Sequence, residues 1–282
     1  MKQKLLLLLA AVAGLCAWPR SFEGVVADCN NEPLPYPVVR VKGKMIGVLG
    51  DSTGYFSLED ERIKSSDTLL VSYLGHKTGK IALAGLSPDE KLDIRLDSAV
   101  TVLQELKIVP KKKLKRVVKG RNHNRGMMAF TISGETAGDT YGYEFHAKKG
   151  KRLLLNKVSF FFSEGEQQMT RMKFRVNVYD MSRVRKSPSA RFKGVMTKPI
   201  FFEYTLAGER SGRFEYELPE HIALPEHAMV EIEFLENLGE KNLIFRGNLL
   251  GKNNWSKSLV DRVWVKCPFS APFFVECVEV TR

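Results

Sequence analysis

Two pairs of glutamates, Glu215 with Glu217 and Glu231 with Glu233, have a spacing at which two carboxylates could share the acid and base roles of glycoside hydrolysis. Both pairs alternate with apolar residues, Phe214, Tyr216 and Leu218 around the first and Val230, Ile232 and Phe234 around the second. That is the pattern of a strand with one buried and one solvated face, so all four carboxylates are expected to stand in water rather than in a site. None of the five histidines opens an H-x-x-E or H-E-x-x-H, their windows being HKTG, HNRG, HAKK, HIAL and HAMV. Zinc-peptidase chemistry, which needs a His and a carboxylate placed together with a further ligand, is therefore not encoded locally. Residues Gly75 to Lys80, GHKTGK, are too short between their glycines for a phosphate loop and lack Ser or Thr after the lysine. With no G-x-S-x-G, C-x-x-C or G-x-G-x-x-G, no catalytic, cofactor or metal residue is expected, and the chain is expected not to be an enzyme.

Aromatic side chains offer another chemistry, since the apolar face of a pyranose stacks on a ring. The candidates are Tyr141, Tyr143, Tyr204, Trp255 and Trp264, with core or rim packing as the competing role for each. Trp255 stands out because GKNNWSKS is a polar context that reads as a loop, where a ring has no core to fill.

Charge is concentrated rather than spread. The chain has 44 Lys and Arg against 32 Asp and Glu, and nine of its twelve net positive charges fall between Lys107 and Arg125, a stretch without a carboxylate. Nucleic-acid arms add aromatic or base-reading groups to such charge, and here only His123 is available. A solvated, self-repelling linker is expected instead, with Lys111, Lys112, Lys113, Lys115 and Arg116 as candidates for contact with an anionic membrane surface and no nucleic-acid partner.

The first residues bear on compartment. Two lysines in MKQK precede an unbroken apolar run from Leu5 to Trp18, which Pro19 and Arg20 end. This is the anatomy of a secretory signal peptide, and residues 1–21 are expected to direct export to the periplasm or outer-membrane periphery. Leu15 before Cys16 is not the small residue that acylation prefers, so a lipoprotein is not expected. Cys29, Cys267 and Cys277 then remain, and the last two flank a Pro-broken segment. A hairpin there would join Cys267 to Cys277 as a disulfide; the alternative is two buried thiols.

Alternation with a period of two dominates the chain, and no helix of three turns is indicated. Strands are expected at 22–27, 38–42, 45–49, 54–58, 68–73, 79–83 and 91–96, a spacing that implies a seven-stranded Greek-key sandwich. Its turns are specific. Pro33, Pro35 and Pro37 fix an extended approach, while Asp51 and Gly54 reverse the chain and deliver Phe56 and Leu58 inward.

Gly24-Val25-Val26 with Asp28, Pro33-Leu34-Pro35-Tyr36 with Val39 and Val41, Gly47 with Asp51, Gly54 and Phe56, and Leu70-x-Ser72-Tyr73 with Gly75 together resemble the carboxypeptidase-regulatory-like domain. This small transthyretin-like sandwich is abundant in exported proteins of Bacteroidetes. The resemblance implies a structural or adhesive unit that accompanies enzymes without cleaving peptides. His76 departs from the aromatic residue frequent after that glycine, which bears on packing. The stretch from Leu103 to Val109 resembles the junction that follows this module in TonB-dependent receptors, although the remaining chain is too short for a receptor barrel. GYEFHAKKGKRLLLNKVSFFF, MKFRVNVYD and MVEIEFLEN resemble the jelly-roll-like C-terminal sandwich found with this module in Bacteroidetes proteins.

The expected protein is all-β: a signal peptide at 1–21, a carboxypeptidase-regulatory-like sandwich at 22–97, a basic linker at 98–126 and a jelly-roll-like antiparallel sandwich at 127–282. Its expected role is that of a non-enzymatic envelope binding or scaffolding protein, with an envelope protein or glycan as partner. The alternatives are an envelope hydrolase acting on glycan or peptide, and a structural component that docks a protein partner.

Overall fold

A computed structural model describes residues 20–87, 90–99, 115–120, 128–132, 137–162, 170–182, 192–196, 198–206, 212–238, 243–247, 251–261, 263–269 and 273–281. Most of the leader, and with it Cys16, lies outside them, as do Lys111, Lys112 and Lys113. The chain divides into two compact units, residues 1–98 and 99–282. No helix occurs among the described residues.

The first unit holds the seven expected strands: β1 (Arg20–Asp28), β2 (Val38–Val41), β3 (Gly47–Leu49), β4 (Tyr55–Asp60), β5 (Thr68–Ser72), β6 (Gly79–Ala82) and β7 (Leu92–Leu96). They form a three-stranded sheet, β4-β1-β7, and a four-stranded sheet, β3-β2-β5-β6. Phe22, Val26, Phe56, Leu58, Ile94 and Leu96 of one sheet and Val39, Val41, Leu69 and Val71 of the other build one core. Pairing is antiparallel except between β1 and β7, the unit's first and last strands, which run parallel.

Asp51 organises the hairpin before β4. Its Oδ1 accepts from the Thr53 amide at 2.7 Å, the Thr53 hydroxyl at 2.6 Å and the Tyr55 amide at 3.1 Å. Gly54 then takes φ +82°, and a Cβ there would sit 2.6 Å from the Val26 carbonyl oxygen, so both the backbone angle and the close approach require glycine. His76 packs edge-on against Tyr73, with ring centroids 5.4 Å apart, in a packing role.

The second unit contains β8 (Lys115–Gly120), β9 (Met128–Ile132), β10 (Thr140–His146), β11 (Lys151–Phe162), β12 (Thr170–Asp180), β13 (Lys193–Gly194), β14 (Ile200–Leu206), β15 (Gly212–Leu224), β16 (His227–Asn237), β17 (Leu243–Gly247), β18 (Asn254–Lys257), β19 (Val265–Cys267) and β20 (Phe273–Thr281). One sheet runs β13-β12-β16-β10-β18-β19, with β14 also on β12; the other runs β8-β20-β11-β17-β9, with β15 also on β11. From β10 to β20 the chain crosses between sheets at most of its connections, as a jelly-roll-like winding requires. Phe160 of β11 and Phe214 of β15 meet Phe174, Phe202 and Tyr204 of the facing sheet, which places the core between the sheets.

Two expectations fail in this unit. The basic linker does not extend to residue 126, because Lys115 to Gly120 is strand β8, paired antiparallel with β20. Lys115 stands opposite Glu279, and the exposed Lys115 and Arg116 give the sheet a charged edge that repels further strand pairing. The Cys267–Cys277 disulfide is absent, and both thiols are free. The reason is topological: Cys267 ends β19 in one sheet, whereas Cys277 is buried in β20 between β11 and β8 of the other.

Burial pushes the Cys277 thiol up to about 12, so it is not a thiolate at neutral pH. Alkylation of the folded, unreduced chain is expected to label exposed Cys29 and spare Cys277, and denaturation without reductant is expected to expose the thiols of Cys29, Cys267 and Cys277 by mass. For Asp51, burial alone would raise the carboxyl, but the hydrogen bonds from Thr53 and Tyr55 outweigh it and hold it below 3.8. Its contribution is thus present above the unfolded value and lost as pH falls through the lower folded value. Asp51→Ala, by removing these turn hydrogen bonds, should destabilise the first unit by about 1 kcal/mol at pH 7, a difference that shrinks below about pH 4; hydrogen exchange of the β4 amides reads both.

Candidate functional site

The odd-numbered residues of β12 and β16 point away from the inter-sheet core, which takes Phe174, Val176, Val178, Val230, Ile232 and Phe234 from the same strands. By alternation this second face should be wet. It is not: Arg175, Asn177, Glu231 and Glu233 are all buried, both glutamates at 0% exposure. The expectation that Glu231 and Glu233 are solvated is therefore wrong, while Glu215 and Glu217 do lie on an exposed face beside Lys157.

Antiparallel register assembles the buried groups. Arg175 stands opposite Glu233 and Asn177 opposite Glu231. Arg175 donates twice to Glu233 Oε2, from Nε at 2.9 Å and from a terminal nitrogen at 2.7 Å. Asn177 Nδ2 donates to Glu231 Oε2 at 2.9 Å, and Lys257 Nζ of β18 lies 2.8 Å from Glu231 Oε1 as an ion pair whose angle falls short of a hydrogen bond. Asn177 Oδ1 is buried with no hydrogen-bond partner among the described residues. The result is two carboxylates, each neutralised by its own cation, with one spare acceptor beside them.

Aromatic rings cover this strip. Lys257 Nζ lies 4.5 Å from the Trp264 ring centroid and 5.8 Å from that of Tyr179. Trp264 stacks on Phe192 at 5.5 Å, Phe192 meets Trp255 edge-on at 5.4 Å, and Tyr179 meets Trp264 edge-on at 5.8 Å. Met181 and Met229 pack with Trp255. Gly142, opposite both Glu231 and Trp255, makes this possible, because a Cβ on it would come 2.6 Å from the Met229 sulfur. Lys266 Nζ sits 5.2 Å from the Trp255 ring.

At the end of the same face, Trp255 Nε1 donates to Glu144 Oε2 at 2.7 Å, and Glu144 Oε1 lies 2.6 Å from His227 Nε2. Burial would raise the Glu144 carboxyl, but the hydrogen bonds from Trp255 and His227 prevail and hold it below its ordinary value. His146 stacks on His227 with centroids 3.9 Å apart.

Of the aromatic candidates, the structure brings Trp255 and Trp264 together at this face and sends the others elsewhere. Trp255 is not in a loop: it is in β18, only 8% exposed, because Asn254 to Lys257 pairs with β10 and β19. Tyr204 is buried in the inter-sheet core against Phe160 and Phe214. Tyr143 packs on Phe145 and Phe273, and Tyr141 is half-buried, its hydroxyl raised above the usual value mainly by that burial. Sequence reasoning missed Arg175, Asn177, Lys257, Phe192, Glu144, His146 and His227. The one signal that could have found part of the set is E-x-H at 144–146, a carboxylate and an imidazole on one strand face.

The fold and this face define a two-sandwich protein whose second unit carries a sheet face of paired buried charges overlain by aromatic rings. Residues 22–108 match the family model of the CarboxypepD_reg-like domain, so the first sandwich is similar to that domain. No curated protein matches the chain.

Removing one partner of a buried pair leaves an uncompensated charge. Glu233→Ala should therefore destabilise the second unit by about 3–5 kcal/mol, and Arg175→Met combined with Glu233→Leu should recover most of that loss. Denaturant titrations followed by tryptophan fluorescence, all of whose described reporters lie in this unit, measure both.

Proposed function

We propose that the chain is a non-catalytic binding or scaffolding protein of the cell envelope, in which the first sandwich serves as spacer or docking module and the second recognises a glycan. The observation that carries this is the second face of the seven-stranded sheet, where part-buried Trp264 and Phe192 pack over charged strands, with Lys257 on the Trp264 ring and Lys266 on that of Trp255. Rings fixed by packing, with cationic and acceptor groups beside them, suit a ligand that presents an apolar ring face edged by hydroxyls.

Hydrolysis is the weaker alternative on the same residues. A glycosidase needs one carboxyl kept protonated at working pH and a second kept free. Glu231 and Glu233 are each bound by a cation, and Glu144 is held ionised by its donors. Strand addition by a protein partner is disfavoured at β8, whose lysines and arginine charge the edge.

Trp264, rather than the buried Trp255, is the residue on which the proposal turns. Glycan and peptidoglycan-fragment arrays probed with the purified chain should yield a ligand whose affinity falls at least about tenfold in Trp264→Ala, the equivalent of about 1.4 kcal/mol. Tyr204→Phe, a change confined to the core, should leave it unaltered. Absence of any glycan ligand, or binding indifferent to Trp264, would overturn the assignment.

A further inference from the structure

We propose that Glu144, His146 and His227 form an open binding site for a borderline divalent metal ion, zinc foremost. One donor atom from each lies within 4.8 Å of the others. The fold completes the local E-x-H pair of one strand with a histidine from its neighbour. Glu144 and His146 are two apart on β10 and share a face, and His227 of β16 stands directly opposite His146 in the antiparallel register.

The donor chemistry selects the metal. Two imidazoles and one carboxylate match zinc and its neighbours, which take three protein ligands and leave a fourth position to water or a ligand oxygen. Calcium and magnesium want more oxygen donors than one carboxylate supplies. Tetrahedral zinc sets neighbouring donors about 3.3 Å apart, a distance that follows from bonds of about 2.0–2.1 Å. The 2.6 Å contact between Glu144 and His227 must open slightly and the wider spacings close. His146 is exposed and can turn to do so, which also gives the ion a route from solvent.

The Trp255 indole supplies the outer support such sites use. Its Nε1–H holds Glu144 Oε2 at 2.7 Å, which fixes the carboxylate and presents Oε1 toward the histidines. The His227 and Glu144 side chains are both largely buried and bonded to each other, so two of the three ligands are confined before any ion arrives. Metal binding here would tie β10 to β16 at the end of the aromatic face, and the assignment is independent of what that face recognises.

Calorimetric titration of the untagged full chain with zinc, in competition with a chromophoric chelator, tests the site. The expected result is one zinc ion per chain, an affinity at least about tenfold weaker in His146→Ala and in Glu144→Gln, and no change in His221→Ala, an exposed histidine of β15. Cobalt should give the visible absorption of a nitrogen-ligated tetrahedral ion in the parent chain and lose it in His146→Ala. Because His146 is exposed, that variant should keep the thermal midpoint of the metal-free parent, so lost binding is not lost folding. Substoichiometric zinc, or an affinity that His146→Ala and Glu144→Gln leave unchanged, would overturn the proposal.

Discussion

Two carboxylates out of contact with water, Glu231 and Glu233, constrain everything around them. A charge with no solvent must have a partner, and in a sheet the only partners at the right height are those on neighbouring strands of the same face. Arg175 and Asn177 on β12 and Lys257 on β18 meet that demand, which fixes the register of β12, β16, β10 and β18 together. A slip of one residue would turn each charged group into the phenylalanine core and each core residue outward. The ion pairs thus select one pairing, whatever their net contribution to stability.

The aromatic cover follows from the same requirement. Lys257 is 4% exposed at its side chain, and an ammonium so withdrawn gains from the faces of Trp264 and Tyr179 as well as from Glu231. Phe192 and Trp255 complete the cover, and Trp255 can face inward only because its indole N–H finds Glu144. The polar network and the rings are one structure, each shielding or satisfying the other. Among the described residues of this face, Glu144, Glu231 and Glu233 each have a partner within that structure.

Most of the first unit was legible in the sequence, because its strands alternate cleanly and its turns depend on local chemistry, Asp51 gathering three donors and Gly54 taking positive φ; the extended approach expected of Pro33, Pro35 and Pro37 fails, since the chain bends at Pro35 and Tyr36, where Tyr36 takes φ +59° with its side chain buried. The second unit was legible as fold and not as site. Val-Glu-Ile-Glu-Phe has the same period whether its glutamates face water or another layer, so alternation could not distinguish Glu231 from Glu215. What separates them is the arginine, asparagine and lysine across the ladder, 54 to 58 residues away for β12, and register of that kind is not written in a local window.

The same limit explains Trp255 and the basic run. GKNNWSKS contains only four strand residues, too few to show alternation, and its assignment rests on β10 and β19 arriving on either side. Lys115 to Gly120 reads as charged linker because each of its lysines and arginines favours solvent; β20 nevertheless offers an open row of backbone donors and acceptors, with Glu279 facing Lys115. At a sheet edge these preferences do not conflict, since one side of the strand pairs while its charged side chains stay wet. Charge density alone therefore cannot separate a linker from an edge strand, and the distinguishing feature is a carboxylate-bearing neighbour strand elsewhere in the chain.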